Sequence, residues 1–316
     1  MGLQLSENIL ITGVNGFVGK HMTTVLLKKG RRVIGVGREE TPRGSLDSYI
    51  ACDLTDEDAV KNLVPNLKNI NAIIHLAGIA TTKNSPEHIA PVLHINVDVH
   101  RLLYKTLLDS KSVARIIAVS TGLVYELDQD MPLSETAPTL HDGDAINAYV
   151  RSKLRVEYVA DEYRKKGLDI ITVRPFNHTG PGQGLGFFVP DQVAKIKAAL
   201  ATGRHMELGD SFDFWRDFTD VRDVAKAYRL LATAKKADLS AKTYNIASGT
   251  PVFGRDLFRM IAKELNFTNY TLSTKGSAKG IPRICGDASL LKKDTGWTPS
   301  ISLEQTIQDL AADSSI

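Results

Sequence analysis

Ile9-Leu10-Ile11-Thr12-Gly13-Val14-Asn15-Gly16-Phe17-Val18-Gly19 decides how this chain folds. An apolar triplet runs into glycines spaced Gly-x-x-Gly-x-x-Gly, and an apolar-periodic helix continues through Leu27. A second apolar run, Arg32-Val33-Ile34-Gly35-Val36, follows and stops at Gly37-Arg38. Strand, glycine turn, helix and strand make a βαβ unit, in which glycine permits the tight turn and lets backbone approach a pyrophosphate. The helix start then offers free N–H groups and the positive end of its dipole to the same phosphates. A glycine pattern by itself is weak, but between a strand and a helix it predicts dinucleotide binding. Gly13, Asn15, Gly16, Phe17, Val18 and Gly19 are the candidate cofactor contacts in this turn.

Downstream, apolar strands alternate with helical patterns. Residues 48–52 read as a third strand, and Thr55 with Asp58 three residues on reads as a helix start. Residues 71–78 read as a fourth strand, 89–109 as a long helix and 113–120 as a fifth strand. Pro132, Pro138 and the Asp142-Gly143-Asp144 turn punctuate a loop before a helix over 145–166 and a strand over 168–174. This alternation predicts an α/β fold with a doubly wound parallel sheet, whose cofactor lies outside the carboxyl ends of the strands. Residues 1–174 form the expected dinucleotide-binding domain. Beyond Arg174-Pro175 comes a glycine-rich loop, residues 179–184, then shorter elements without clean alternation. Residues 175–316 are therefore read as a smaller substrate-binding lobe, with segments near 221–250 (among them 221–234 and 243–246) returning to the sheet.

Composition sets the class. A chain of 316 residues with 43% apolar and 24% charged content has ordinary globular proportions and room for one large or two modest domains. A net charge of +3 is too small and too dispersed to argue for nucleic acid. Cys52 and Cys285 are isolated and show no metal-ligand spacing, so no metal site is expected. With no secretory leader and no apolar run near membrane-spanning length, the expected partners exclude a membrane and the expected location is cytoplasmic.

Three features bear chemistry. Tyr149-Val150-Arg151-Ser152-Lys153 places a phenol and an ammonium on one helix face, one turn apart. An ammonium near a phenol is expected to lower its pKa, so Tyr149 would exchange a proton with a carbonyl oxygen. Ser120-Thr121-Gly122-Leu123-Val124-Tyr125 stands at the end of the fifth strand, where Thr121 offers a hydroxyl. Arg38 follows Gly37 where an NAD-preferring site usually ends in an acid; an arginine there suits a 2′-phosphate, so NADP(H) is favoured and NAD(H) is the alternative. His75 reads as packing at a strand end, Asn96 as a helix-buttressing amide, and Trp215 as lobe core.

Together these motifs resemble the extended short-chain dehydrogenase/reductase family, of the NAD-dependent epimerase/dehydratase type. The resemblance spans almost the whole chain and adds Arg174-Pro175-Phe176-Asn177-His178-Thr179-Gly180-Pro181 and Arg216-Asp217-Phe218-Thr219-Asp220-Val221. Its nearest members are the GDP-6-deoxy-4-keto-mannose reductases. The resemblance implies that Lys153 also holds the cofactor ribose and that Thr121 hydrogen-bonds the substrate oxygen. It implies that Asp53 and Leu54 contact the adenine and that Leu76, Ala77 and Gly78 pass by the pyrophosphate and ribose. Asn177 and Arg216 would grip a substrate diphosphate, which wants directional charged donors.

Two departures are informative. Dehydratases of the family carry an acid directly after the strand-end hydroxyl; Gly122 and Leu123 stand there instead, so dehydration is not expected. Ser277 stands about where relatives have a nucleotide-gripping arginine, leaving Lys275, Lys279 or Arg283 as substitutes. The expected activity is NADPH-dependent reduction of a nucleotide-activated 4-keto-6-deoxyhexose by a homodimer. Its rivals are a sugar-nucleotide epimerase, a reductase of small carbonyls and a non-catalytic NADP(H) sensor.

Overall fold

A computed structural model describes residues 7–81, 86–126, 129–272 and 283–313. In chain order the strands are β1 (Asn8–Thr12), β2 (Arg32–Gly37), β3 (Ser48–Ala51), β4 (Ala72–His75), β5 (Arg115–Val119), β6 (Ile170–Pro175) and β7 (Asn177–Thr179), then β8 (Met206–Leu208), β9 (Trp215–Asp220), β10 (Thr243–Ile246), β11 (Pro251–Phe253), β12 (Tyr270–Leu272) and β13 (Arg283–Ile284). The helices are α1 (Phe17–Leu27), α2 (Glu57–Lys61), α3 (Val64–Leu67), α4 (Pro86–Leu93), α5 (Val99–Asp109) and α6 (Ala148–Lys165), then α7 (Phe188–Thr202), α8 (Val221–Thr233), α9 (Gly254–Glu264), α10 (Ser289–Thr295) and α11 (Leu303–Ala311).

A seven-stranded sheet in the order β10-β6-β5-β4-β1-β2-β3 is parallel throughout. Its apolar runs are uninterrupted because successive strand residues face opposite sides and helices cover both. Leu10, Ile73, Ile116 and Ile170 pack with Leu103 and Tyr104 of α5 and Val159 and Tyr163 of α6. Their neighbours Ile9, Ile11, Ile74, Ile117 and Ile171 pack on the other face, with Met22 and Leu26 of α1 and Val224, Tyr228 and Leu231 of α8. From β1 the chain runs outward through β2 and β3, then crosses back to β4. The β1–β4 boundary is therefore the switch point where a crevice opens at the strand ends.

The smaller lobe is built on β9, flanked by β11 and β13, with β7 also pairing to β9; β8 and β12 form a separate pair. Its core gathers Val193 and Ile196 of α7, Leu257, Phe258 and Ile261 of α9, and Ile307 and Leu310 of α11. Trp215 is not part of that core, contrary to the sequence reading: it is half-buried, against Phe253 and under the Arg283 guanidinium. The cation covers the ring on a face that strand pairing leaves near solvent.

Two local expectations also change. Asp56, not Thr55, caps α2, accepting from the N–H groups of Asp58 and Ala59; Thr55 bonds back to the Asp53 carboxylate instead. The long helix over 89–109 contains a π-helical stretch, His94–Asp98, between α4 and α5. Such bulges open the backbone ladder and cluster near functional sites. Among the described residues no helix is long and apolar enough to cross a membrane.

Candidate active site

A cavity of about 380 Å³ opens at the switch point, between the carboxyl ends of the sheet and the smaller lobe. Its floor is the glycine turn between β1 and α1: Gly13, Gly16, Phe17, Val18 and Gly19 line it. Gly13 has φ +66, and a Cβ there would lie 2.8 Å from the Ala77 nitrogen, so only glycine lets the turn close against the end of β4. A Cβ on Gly19 would sit 2.4 Å from the Val14 oxygen, so this glycine sets how closely α1 packs on the turn. Gly16, the N-cap of α1, makes no side-chain cap hydrogen bond. The first-turn N–H groups of α1 are therefore left for an anion, and the cradle fits the pyrophosphate of a dinucleotide.

The opposite wall comes from β5 and α6. Thr121, just past β5, is 6% exposed, its hydroxyl accepts from the Leu123 N–H at 3.3 Å, and it lines the cavity together with Tyr149. Asn147 caps α6 by accepting from the Val150 N–H at 2.9 Å, which fixes the helix start two residues before Tyr149. Lys153 is one turn further on, 8% exposed, with Nζ donating to the Val119 carbonyl at 2.8 Å.

The expected lowering of the Tyr149 pKa is not what this geometry gives. Lys153 Nζ lies 5.7 Å from the Tyr149 ring centre and is committed to Val119. Burial pushes the Tyr149 phenol up to about 12, although the neighbouring Thr121 hydroxyl pulls it the other way. Burial also pulls Lys153 down to about 8. Desolvation penalises the charged form of each group.

Behind this wall a buried network holds the strand ends in register. Arg174 pairs with Glu157 of α6 at 2.6 Å, Ser120 donates to the same carboxylate at 2.5 Å, and the Arg174 guanidinium lies 4.8 Å from the Tyr125 ring centre. Asn96, in the π-helical stretch, accepts from the Ile79 N–H and donates to the Ile79 carbonyl and to Ser152 Oγ, which in turn donates to the Tyr149 carbonyl. His75 is buried at the end of β4, with Nδ1 2.5 Å from Thr12 Oγ1, and burial pulls its pKa down to about 3. It is held neutral and packed, as the sequence suggested.

The family of the chain is decided by a match over most of this framework, residues 9–247, to the family described as NAD dependent epimerase/dehydratase. The chain belongs to the NAD dependent epimerase/dehydratase family. Over 98% of its length it is 29% identical to a GDP-6-deoxy-D-mannose reductase of Pseudomonas aeruginosa, covering 97% of that protein. It is 25% identical to a UDP-glucose 4-epimerase of Erwinia amylovora, with 96% of each chain covered. The structure of RMD from Pseudomonas aeruginosa complexed with NADPH superposes with a TM-score of 0.80 at 27% identity, covering 98% of both chains. The chain is thus an enzyme of the NAD(P)-dependent epimerase/dehydratase family.

Within this family framework the predicted residues fall into groups. Gly13, Gly16, Phe17, Val18, Gly19, Leu76, Gly78, Thr121, Tyr149, Lys153 and Asn177 line the one cavity. Ala77 donates its N–H to Thr12 Oγ1 at the cavity edge, and Leu54 is buried in the core under α5. Arg38 and Asp53 are exposed near the end of β2, close enough for the arginine to hold the Asp53 carboxyl below its ordinary range, behind the stronger hydrogen bonds from Thr55. Asn15 turns its side chain toward the same place. Arg216 is half-buried outside the cavity lining, its guanidinium 5.7 Å from the Phe214 ring centre and one nitrogen on the Trp215 carbonyl. Arg283 is exposed over Trp215 at 4.9 Å. Lys275, Ser277 and Lys279 lie outside the described residues.

Sequence reasoning missed Phe176, whose ring fills the space beside the strand-end hydroxyl. A Cβ on Gly122 would lie 2.9 Å from that ring, and one on Gly286 would lie 2.4 Å from it. No local signal marks such a residue, because its partners are distant in sequence. Asn147 carried a readable one: an Asn-first helix start two residues before the tyrosine.

Proposed function

We propose that the chain is an NADPH-dependent reductase of a nucleotide-activated 4-keto-6-deoxyhexose, of the GDP-4-keto-6-deoxy-mannose kind. The observation that carries this reading is that the hydroxyl residues Thr121 and Tyr149 line one cavity together with Lys153 and the glycine turn. The bound coenzyme would supply a hydride to the sugar carbonyl carbon. Thr121 orients the carbonyl oxygen. Tyr149, kept protonated by burial, gives its proton to that oxygen as negative charge develops there. Lys153 holds the coenzyme ribose and, when charged, steadies the phenolate left behind until solvent reprotonates it. Asn177, Arg216 and Arg283 hold the substrate diphosphate. The glycine turn with Phe17 and Val18 holds the coenzyme pyrophosphate, Leu76, Ala77 and Gly78 pass beside it, Asp53 and Leu54 bound the adenine, and Arg38 and Asn15 meet the 2′-phosphate.

The similarity to a GDP-6-deoxy-D-mannose reductase and to a protein complexed with NADPH supports this assignment. So does the absence of an acid after Thr121, a place where the Phe176 ring leaves no room for a side chain on Gly122. The test is NADPH consumption against a panel of nucleotide-linked keto sugars. Oxidation with GDP-4-keto-6-deoxy-mannose is expected; consumption only with small aldehydes or ketones would overturn the substrate assignment. The similarity to a UDP-glucose 4-epimerase favours a second reading, a sugar-nucleotide epimerase, which tightly retained NAD after purification would select. The same proposal includes a homodimer through α5 and α6. Tyr158 of α6 is 54% exposed, and sedimentation at micromolar concentration measures whether that face is covered.

A further inference from the structure

At the end of β2 the chain places a carboxylate of its own where a residue-37 side chain would lie. Gly37 has no Cβ; one built there would meet Tyr49 Oη at 2.7 Å, Glu39 Oε2 at 3.3 Å and Asn15 Nδ2 at 3.5 Å. Position 37 is the strand end from which an acid reads the ribose 2′-hydroxyl in NAD sites. Here the loop after β2 folds back so that Glu39, two residues later, fills that space. Three contacts hold it, and a fourth ties the loop to the glycine turn. Asn15 of the glycine turn donates to Glu39 Oε2 at 3.0 Å, Arg43 pairs with Oε1 at 3.3 Å, Tyr49 Oη donates to the Glu39 carbonyl at 2.7 Å, and the Arg43 N–H donates to Asn15 Oδ1 at 2.9 Å. The donors around the carboxylate hold it below its ordinary range, Asn15 foremost.

We propose that Glu39 is a latch that determines coenzyme specificity: its carboxylate occupies the donors that a 2′-phosphate needs, and must leave Asn15 and Arg43 before NADP(H) binds. A phosphate and a carboxylate want the same partners, amide N–H and guanidinium, and repel each other. In place, the carboxylate is an acceptor for the 2′-hydroxyl of NAD(H), as an acid at position 37 would be. Moved aside, it leaves Arg43 beside Arg38 as a cationic rim for the phosphate. The movement is open to it, since the Glu39 and Arg43 side chains are 44% and 62% exposed. The chain is therefore expected to bind both coenzymes, with a smaller NADPH preference than Arg38 alone would set. This inference rests on the proposed dinucleotide site and not on the identity of the sugar.

The test is calorimetric titration of the wild-type chain and Glu39→Gln with NADPH, NADH, adenosine 2′,5′-bisphosphate and adenosine 5′-monophosphate. Removing one like charge at this exposed site should tighten NADPH and the bisphosphate by about five- to tenfold. NADH and the monophosphate should stay level or weaken, and the gain should shrink at high salt. Tyr49 bonds the backbone of residue 39, so the loop keeps an anchor in the variant. An unchanged NADPH-to-NADH ratio in Glu39→Gln would overturn the latch while leaving the coenzyme site standing. Failure of the wild-type chain to bind either coenzyme would remove the site and the latch together.

Discussion

Thr121 and Lys153, on the wall assigned to the reaction, are 6% and 8% exposed, whereas the Arg43 and Glu39 side chains at the rim assigned to the adenosine ribose are 62% and 44% exposed. Both regions are polar, and both lie at carboxyl ends of the same parallel sheet. They differ in dielectric. Behind the wall, charges interact almost unscreened, so each must be matched: Glu157 satisfies both Arg174 and Ser120, and Lys153 is shifted toward neutrality. At the rim, water and salt weaken every pair, so partners can exchange at little cost. Under the proposed assignment, the chemistry sits on a rigid wall and the choice of coenzyme at an adjustable rim.

Four measurements would break or sharpen that contrast. The largest effect is expected from Tyr149→Phe, which removes the proton donor; turnover should fall by about 10²–10⁴-fold with coenzyme affinity nearly unchanged. Retained activity would end the role given to this phenol. Glu157→Ala should strand the Arg174 guanidinium in a buried site and lower stability by about 3–5 kcal/mol, read from denaturant midpoints. A loss typical of surface pairs would mean that the wall is as forgiving as the rim.

Lys153 offers a pH signature. Its folded pKa, about 8, lies below its ordinary 10.5, so between these values the unfolded chain binds more protons than the folded one. The stability of the coenzyme-free chain should therefore rise with pH above about 8, by at most about 1.4 kcal/mol per unit from this one group. Urea midpoints at successive pH values should show that rise in the wild type and lose it in Lys153→Met. The smallest effect belongs to the rim: Arg38→Ala should weaken NADPH by about tenfold at low salt, leave NADH unchanged, and matter less as salt is raised. A salt-independent loss would indicate a buried contact.

Much of the framework was readable along the chain. Runs such as Ala72-Ile73-Ile74 and Ile116-Ile117 are apolar at every position because both faces of a parallel strand are covered, and that pattern survives without coordinates. The glycine turn was readable for the same local reason: Gly13, Gly16 and Gly19 answer to neighbours within the turn or one strand away. Thr121, Tyr149 and Lys153 stood out as chemical types at strand and helix positions. Their state of charge did not, because the spacing of Tyr149 and Lys153 says nothing of the Val119 carbonyl that claims the ammonium. Trp215 was misread because an aromatic residue has the same appearance in sequence whether packed inside a lobe or covered by Arg283.

The linear order of residues by itself determined the alternating strands and helices, the glycine turn between the first strand and helix, and the presence of a phenol–ammonium pair, since each is a pattern of residues a few positions apart. Only the tertiary structure decided that Phe176 closes the space beside Gly122, that Glu157 serves both Arg174 and Ser120, and that Glu39 lies over the end of β2. Those outcomes depend on desolvation and on contacts between segments far apart in the chain, which become defined only when the sheet brings its strand ends together.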